Sequence, residues 1–151
     1  MIKIICIGKK HDALYEGAIS HFEKRIQHYA KLQWLLLPHS SFESDEARKE
    51  ESIRILENIQ SADFVLLLDE TGKNASSPEL ASLIDRAQYS SQDICIVIGG
   101  AYGVDSSVQT RANFVLSFGR AVFPHQLVRL MIVEQLYRSF SILSGGKYHH
   151  E

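Results

Sequence analysis

The chain contains only two cysteines in 151 residues, Cys6 and Cys95. Each sits inside an apolar run without the close Cys or His neighbours that a zinc site or a thiol redox motif requires. Both are read as buried, reduced thiols. Positive charge is not in excess either: the formal charge is -2, which argues against a protein that coats nucleic acid through bulk charge. No apolar run approaches the ~20 residues that span a bilayer. The opening Met1 to Gly8 lacks the long apolar region and small-residue cleavage site of a secretion signal, so a cytoplasmic location is expected. The dinucleotide fingerprint GxGxxG and the phosphate-binding GK[ST] are missing. The histidines have no carboxylate or thiol partners at ligand spacing, so no metal is expected. There is no internal repeat and no low-complexity segment.

What remains is an ordinary core-forming composition, 45% hydrophobic, of a length that suits one domain spanning residues 1–151. Five short apolar runs read as strands: Ile2 to Gly8, Leu32 to Leu37, Phe64 to Asp69, Ile94 to Gly99 and Phe114 to Ser117. Most are continuous rather than alternating, as strands covered on both faces of a parallel sheet must be. Between them, Tyr15, Ala18, Ile19, Phe22, Ile26 and Tyr29 form one stripe at helical spacing. Ser77-Pro78-Glu79 reads as a helix start with Leu80, Leu83, Ile84 and Ala87 facing inward. Ser44 to Ile59 is highly charged and is expected to be a mostly solvated helix. Strands alternating with helices predict a three-layer α/β domain around a mainly parallel sheet of five to six strands.

The final helix, Gln126 to Leu143, is apolar nearly all round, from Leu127 and Val128 through Met131, Ile132, Val133 and Leu136 to Phe140 and Leu143. Such a helix must be covered on both sides. One side can lie on the sheet; the other is expected to meet a second copy, giving a homodimer through this helix. The alternative is that the charged Ser44 to Ile59 helix covers it within one chain. Charge is also unevenly spread: residues 1–110 carry a net -5 and residues 111–151 a net +3. A basic C-terminal end permits a local anion site.

Three loops follow strands at the edge where open α/β sheets bind ligands. The first contains Leu68 and Asp69, whose carboxylate suits either ribose hydroxyls or a turn. The second is Gly99 to Gly103, where glycines allow close backbone approach. The third is Gly119-Arg120-Ala121-Val122-Phe123-Pro124, held between a glycine and a helix-starting proline. Its main-chain groups and apolar side chains suit a planar base such as adenine. His125 either touches a ligand or caps the helix.

These segments occur in order with Pro124-His125-Gln126-Leu127-Val128-Arg129, Glu134-Gln135-Leu136-Tyr137-Arg138 and the terminal Tyr148-His149-His150-Glu151. The set resembles the SPOUT-class ribosomal RNA large-subunit methyltransferase H family over essentially the whole chain. The resemblance implies a homodimer with a C-terminal trefoil knot that binds S-adenosylmethionine and methylates N3 of a pseudouridine in 23S rRNA, within the assembled large subunit or ribosome. It places cofactor contacts at Leu68, Asp69, Gly100 and Gly119 to Pro124. It makes His149, with Tyr148, the candidate for removing the N3 proton, and Arg129, Arg138, Lys147 and His150 candidates for RNA contact. Arg129 and Arg138 have a second reading as supports of the knot, and Arg138 a third as an i, i+4 partner of Glu134. The family usually has arginine where His150 stands, which puts the phosphate contact there in doubt. Competing readings are another SPOUT reaction, such as ribose 2′-O methylation, and a non-catalytic nucleotide-binding module.

Overall fold

A computed structural model describes residues 1–150. Ten elements alternate along the chain: β1 (Ile2–Ile7), α1 (Ala13–Ile26), β2 (Leu32–Leu37), α2 (Ser44–Leu56), β3 (Phe64–Asn74), α3 (Ser77–Tyr89), β4 (Ile94–Ile98), α4 (Ser106–Arg111), β5 (Phe114–Ser117) and α5 (His125–Leu143). The five strands form one sheet in the order β2-β1-β4-β3-β5, every neighbouring pair parallel. All strands therefore end at the same edge.

The continuous apolar runs follow from a core on each face of the sheet. Successive strand side chains point to opposite faces, so Ile2, Ile4 and Cys6 pack with α1, α3 and α5 on one side. Ile5 and Ile7 pack with Ile55 of α2 and Val108 of α4 on the other. The charged helix α2 thus lies across the sheet from α5 and cannot cover it, which removes the single-chain alternative. Nor is α2 mostly solvated, since Ala47, Glu51, Ser52 and Ile55 are buried.

Helix starts obey local chemistry. Asp12 accepts from the Leu14 amide to begin α1, and Ser76 with Glu79 forms a reciprocal capping box at α3. Two features exceed the sequence reading. Strand β3 continues past Asp69 to Asn74, with a register break against β5 between Leu68 and Lys73, and α4 is one short turn capped by Asp105.

Candidate functional site

The loops after β4 and β5, with the irregular part of β3, enclose a cavity of about 780 Å³, within the ~300–1,000 Å³ of small-molecule sites. Leu68 and Asp69 line it, as do Gly100 and, beyond β5, Gly119, Ala121, Val122, Phe123 and Pro124. Arg120 does not line the cavity; it is exposed. The cavity is polar on one part of its wall, through Asp69 and Glu70, and apolar on another, through Ile98, Leu116, Phe118 and Val128.

The walls are held by specific contacts. Ser117 Oγ accepts from the Gly119 amide (3.0 Å) and donates to its carbonyl (2.8 Å), fixing the bend at Gly119. Asp69 Oδ1 accepts from the Thr71 amide (2.9 Å) and hydroxyl (2.6 Å), so one of its oxygens does turn work while the residue still lines the cavity. Gly100 is needed for a reason unrelated to any ligand: a Cβ there would stand 2.8 Å from Glu51 Oε1 and 3.2 Å from Ile7 Cγ2. Helix α2 clasps the same loop through Ser52 Oγ, which accepts from the Asp105 amide at 2.9 Å.

Arg129 corrects an expectation. It is fully buried, and its guanidinium donates to the carbonyls of Ile7 (3.1 Å), Gly8 (3.2 Å) and Lys10 (2.9 Å). An RNA phosphate cannot reach it in this fold. The reason is geometric: α5 begins beside the end of β1, where three carbonyls converge, and Gly8 at φ 122° brings its backbone so close that a Cβ would lie 2.8 Å from Arg129 Nη2. Arg129 is a brace for the loop after β1.

The tail lies elsewhere. Tyr148 donates its hydroxyl to Glu134 Oε1 (3.1 Å) and sits edge-on to Tyr137 at 4.7 Å. Arg138 holds Glu134 Oε1 through Nε (3.0 Å) and Nη2 (2.5 Å), and its guanidinium lies 4.7 Å from the Tyr148 ring centre. Its bond to Glu134 pushes the Arg138 pKa up, and burial followed by the Glu134 charge pushes the Tyr148 phenol up. Tyr148 is therefore protonated at neutral pH. Arg138 Nη1 stands 3.2 Å from His149 Nδ1. Because arginine only donates, Nδ1 presents its lone pair and the neutral ring carries its proton on Nε2. In that tautomer His149 is a donor at Nε2. Lys147 and His150 are exposed, and Glu151 lies outside the described residues.

None of the described tail residues lines the cavity. Val128 marks the cavity on α5 and Arg138 the tail, about 15 Å apart at 1.5 Å rise per residue. Between them an apolar groove of about 400 Å³ is formed by Ala18, Phe22, Phe118, Leu130 and Met131 with Glu134 and Gln135.

Sequence reasoning did not single out His39 or Glu51 and left His125 open. His125 lines the cavity, and no side-chain bond caps α5. Burial first, then the positive charge of Arg129 and the neighbouring His39, holds its pKa below the ordinary histidine value. It is neutral at pH 7.

Residues 1–149 match a family model described as "Predicted SPOUT methyltransferase". The ribosomal RNA large subunit methyltransferase H of Clostridium novyi is 40% identical over 156 residues, covering 98% of each chain. That of Lactobacillus delbrueckii subsp. bulgaricus is 38% identical over 156 residues, again covering 98% of each. Among solved structures, a probable methylase family protein from Haemophilus influenzae shares the fold, with a TM-score of 0.57 at 14% identity over 99% of this chain and 70% of that one.

Proposed function

The chain belongs to the SPOUT methyltransferase family, and from that premise we propose that it transfers the methyl group of S-adenosylmethionine to N3 of a pseudouridine in 23S ribosomal RNA, in the assembled large subunit or ribosome. The names of its full-length relatives carry large-subunit ribosomal RNA as substrate; the pseudouridine N3 is our reading from the family resemblance. The observation that carries the reading is the cavity where the ends of β3, β4 and β5 meet the start of α5.

The wall suits the donor. Among the described residues no hydrogen bond engages the peptide groups of Arg120 to Phe123, so they remain available to an adenine edge, while Leu68, Val122 and Phe123 supply apolar contact. Asp69 and Glu70 offer acceptors for ribose hydroxyls. The bound donor supplies an electrophilic methyl carbon; holding it in line with the acceptor nitrogen contributes up to ~7–11 kcal/mol of barrier reduction. The extended C-terminal segment, passing from β5 through the loop 119–124 into α5, is the part we assign to a trefoil knot.

A homodimer completes the site. Each chain leaves the Phe118, Leu130 and Met131 groove uncovered, and its described tail residues do not line its own cavity. An isologous pairing of two α5 helices covers the groove and carries each tail toward the partner's cavity. There Tyr148 packs on the target base and His149 donates Nε2–H to a ring carbonyl, stabilising the negative charge that N3 develops. Exposed Lys147 and His150 contact the RNA, with His150 a weaker phosphate ligand than the arginine usual at that position. Among the described residues no helix is long and apolar enough to cross a membrane; the cytoplasmic location we propose follows from the ribosomal substrate.

The test is to incubate the purified protein with labelled S-adenosylmethionine and ribosomes from a strain lacking the modification. The methylated atom is then located by mass spectrometry. Label at N3 of pseudouridine supports the reading; label at a ribose oxygen makes it a different SPOUT reaction. No transfer, together with no calorimetric heat beyond that of adenosine, reduces it to a binding module.

A further inference from the structure

Resting on this methyl-transfer reading, we propose that His125 takes the N3 proton of the acceptor base, with His39, backed by buried Glu51, as the next station toward solvent. His125 lines the donor cavity, while His39 lines a second, open concavity of about 1050 Å³ that also includes Lys9, Lys10 and His11 at the ends of β1 and β2. The two rings stand 6.3 Å apart, nearly edge to face. His125 thus stands at the donor cavity and His39 at the outer concavity, so an acceptor nucleotide entering through the outer one is taken to meet the donor beside His125.

The support behind the pair is unusual for its position. Glu51 is 3% exposed; its Oε2 accepts from the Ser40 amide at 2.9 Å and lies 4.0 Å from His39 Nδ1. Its Oε1 has no hydrogen-bond partner. A buried carboxylate beside an imidazole orients the ring and stabilises its protonated form. Nothing in the binding of a neutral adenine accounts for a carboxylate placed there.

The other candidates fail on chemistry. His149 has Nδ1 committed to Arg138, and Tyr148 is a protonated phenol. Among the described cavity-lining residues His125 is the only imidazole, and the carboxylates of Asp69 and Glu70 are far weaker bases. The charged and titratable groups around His125 are Arg129 on its own helix, His39 on the loop after β2, Glu51 and Arg48 on α2, and Asp69 and Glu70 across the cavity. In the step, the N3 proton passes to a ring nitrogen of His125. The N3 electron pair forms the bond to the methyl carbon as the carbon–sulfur bond breaks, its electrons going to sulfur to leave a neutral thioether. The imidazolium then releases its proton through His39 to water.

Single-turnover transfer to unmodified ribosomes, followed against pH, tests this alongside calorimetric donor binding. With His125→Gln, donor affinity stays within about twofold and the rate falls by ~10²–10⁴-fold. The logarithm of the rate then climbs with pH where the wild type levels off, because hydroxide must take the proton. His39→Gln gives a smaller fall and displaces the point of levelling. A wild-type rate and plateau in His125→Gln overturns the assignment, as does a fall in rate matched by an equal fall in donor affinity. If the wild type itself transfers nothing, the methyl-transfer reading fails first, a result distinct from a normal His125→Gln profile in an active enzyme.

Discussion

Replacing Arg129 with methionine removes the donors for three carbonyls while keeping most of the side-chain volume. Two of those carbonyls, on Ile7 and Gly8, are in buried bonds, and no ordered group of the chain is placed to replace the guanidinium. Each buried acceptor left unpaired costs about 1–3 kcal/mol. The bond to Lys10 is only partly buried, and water can replace it. Against this stands relief from desolvating a cation, since no carboxylate lies within salt-bridge distance of Arg129 among the described residues. Burial holds the Arg129 pKa below its ordinary value, the direction expected of a desolvated cation. The partners are neutral, however, so no buried charge is left behind. We expect a net loss of about 2–4 kcal/mol from the two orphaned carbonyls, or about 6–12 °C in Tm at ~3 °C per kcal/mol for a domain of this size. Urea unfolding followed by circular dichroism measures it, with the slope m unchanged. A midpoint equal to or above the wild type would mean that cation desolvation outweighs carbonyl satisfaction, and the bracing role would be refuted.

Gly100→Ala is expected to destabilise by about 1–3 kcal/mol through overpacking against Glu51 and Ile7, and to weaken donor binding about tenfold or more as the loop shifts; calorimetry giving wild-type affinity would show that the loop tolerates a Cβ. His11 and His125 both have pKa values held below the ordinary histidine value, mainly by burial. Below about pH 6.5 the unfolded chain therefore binds more protons, and stability declines as pH falls. The double variant His11→Gln, His125→Gln should flatten that decline between about pH 6.5 and 5 in denaturation series; an unaltered slope would place the acid sensitivity elsewhere. Burial pushes both Cys6 and Cys95 thiols up to about 12, so the folded protein should resist alkylation at pH 8 while urea-unfolded protein reacts fully. Rapid native labelling would contradict the packed core on either face of β1 and β4.

The strands were legible because sheets covered on both faces demand unbroken apolar runs, and each of the five runs is a strand. The cavity loops were legible for a related reason: glycines and a helix-starting proline after strands leave little else for the backbone to do. The alternation within β1, Ile2, Ile4 and Cys6 against Ile5 and Ile7, is invisible in sequence because both sets are apolar. The burial of Arg129 was not legible because arginine is normally exposed, and that burial depends on carbonyls 119 to 122 residues away. Glu51 was hidden inside the charged run of α2, where one inward-facing carboxylate among outward ones leaves no periodic mark. The extension of β3 to Asn74 crosses Asp69 to Gly72, residues that read as a turn, and only pairing of Lys73 and Asn74 with β5 makes it a strand. The placement of the tail on α5 rests on Glu134 and Arg138, and the pair did show its i, i+4 spacing, though not that it would grip Tyr148 and His149.

The central claim is that a donor cavity on one protomer works with the tail of its partner. Mixing Gly100→Val protein, whose donor-cavity loop is displaced by the clash of the new side chain with Glu51 and Ile7, with protein lacking residues 148–151 tests it directly, after denaturation and refolding to exchange subunits. Each parent should be inactive in transfer to unmodified ribosomes. Random pairing of the mixture should restore about a quarter of wild-type activity, because half the dimers then hold one intact cavity facing one intact tail. A mixture as inactive as its parents, with heterodimers demonstrated by mass spectrometry, would contradict the shared site.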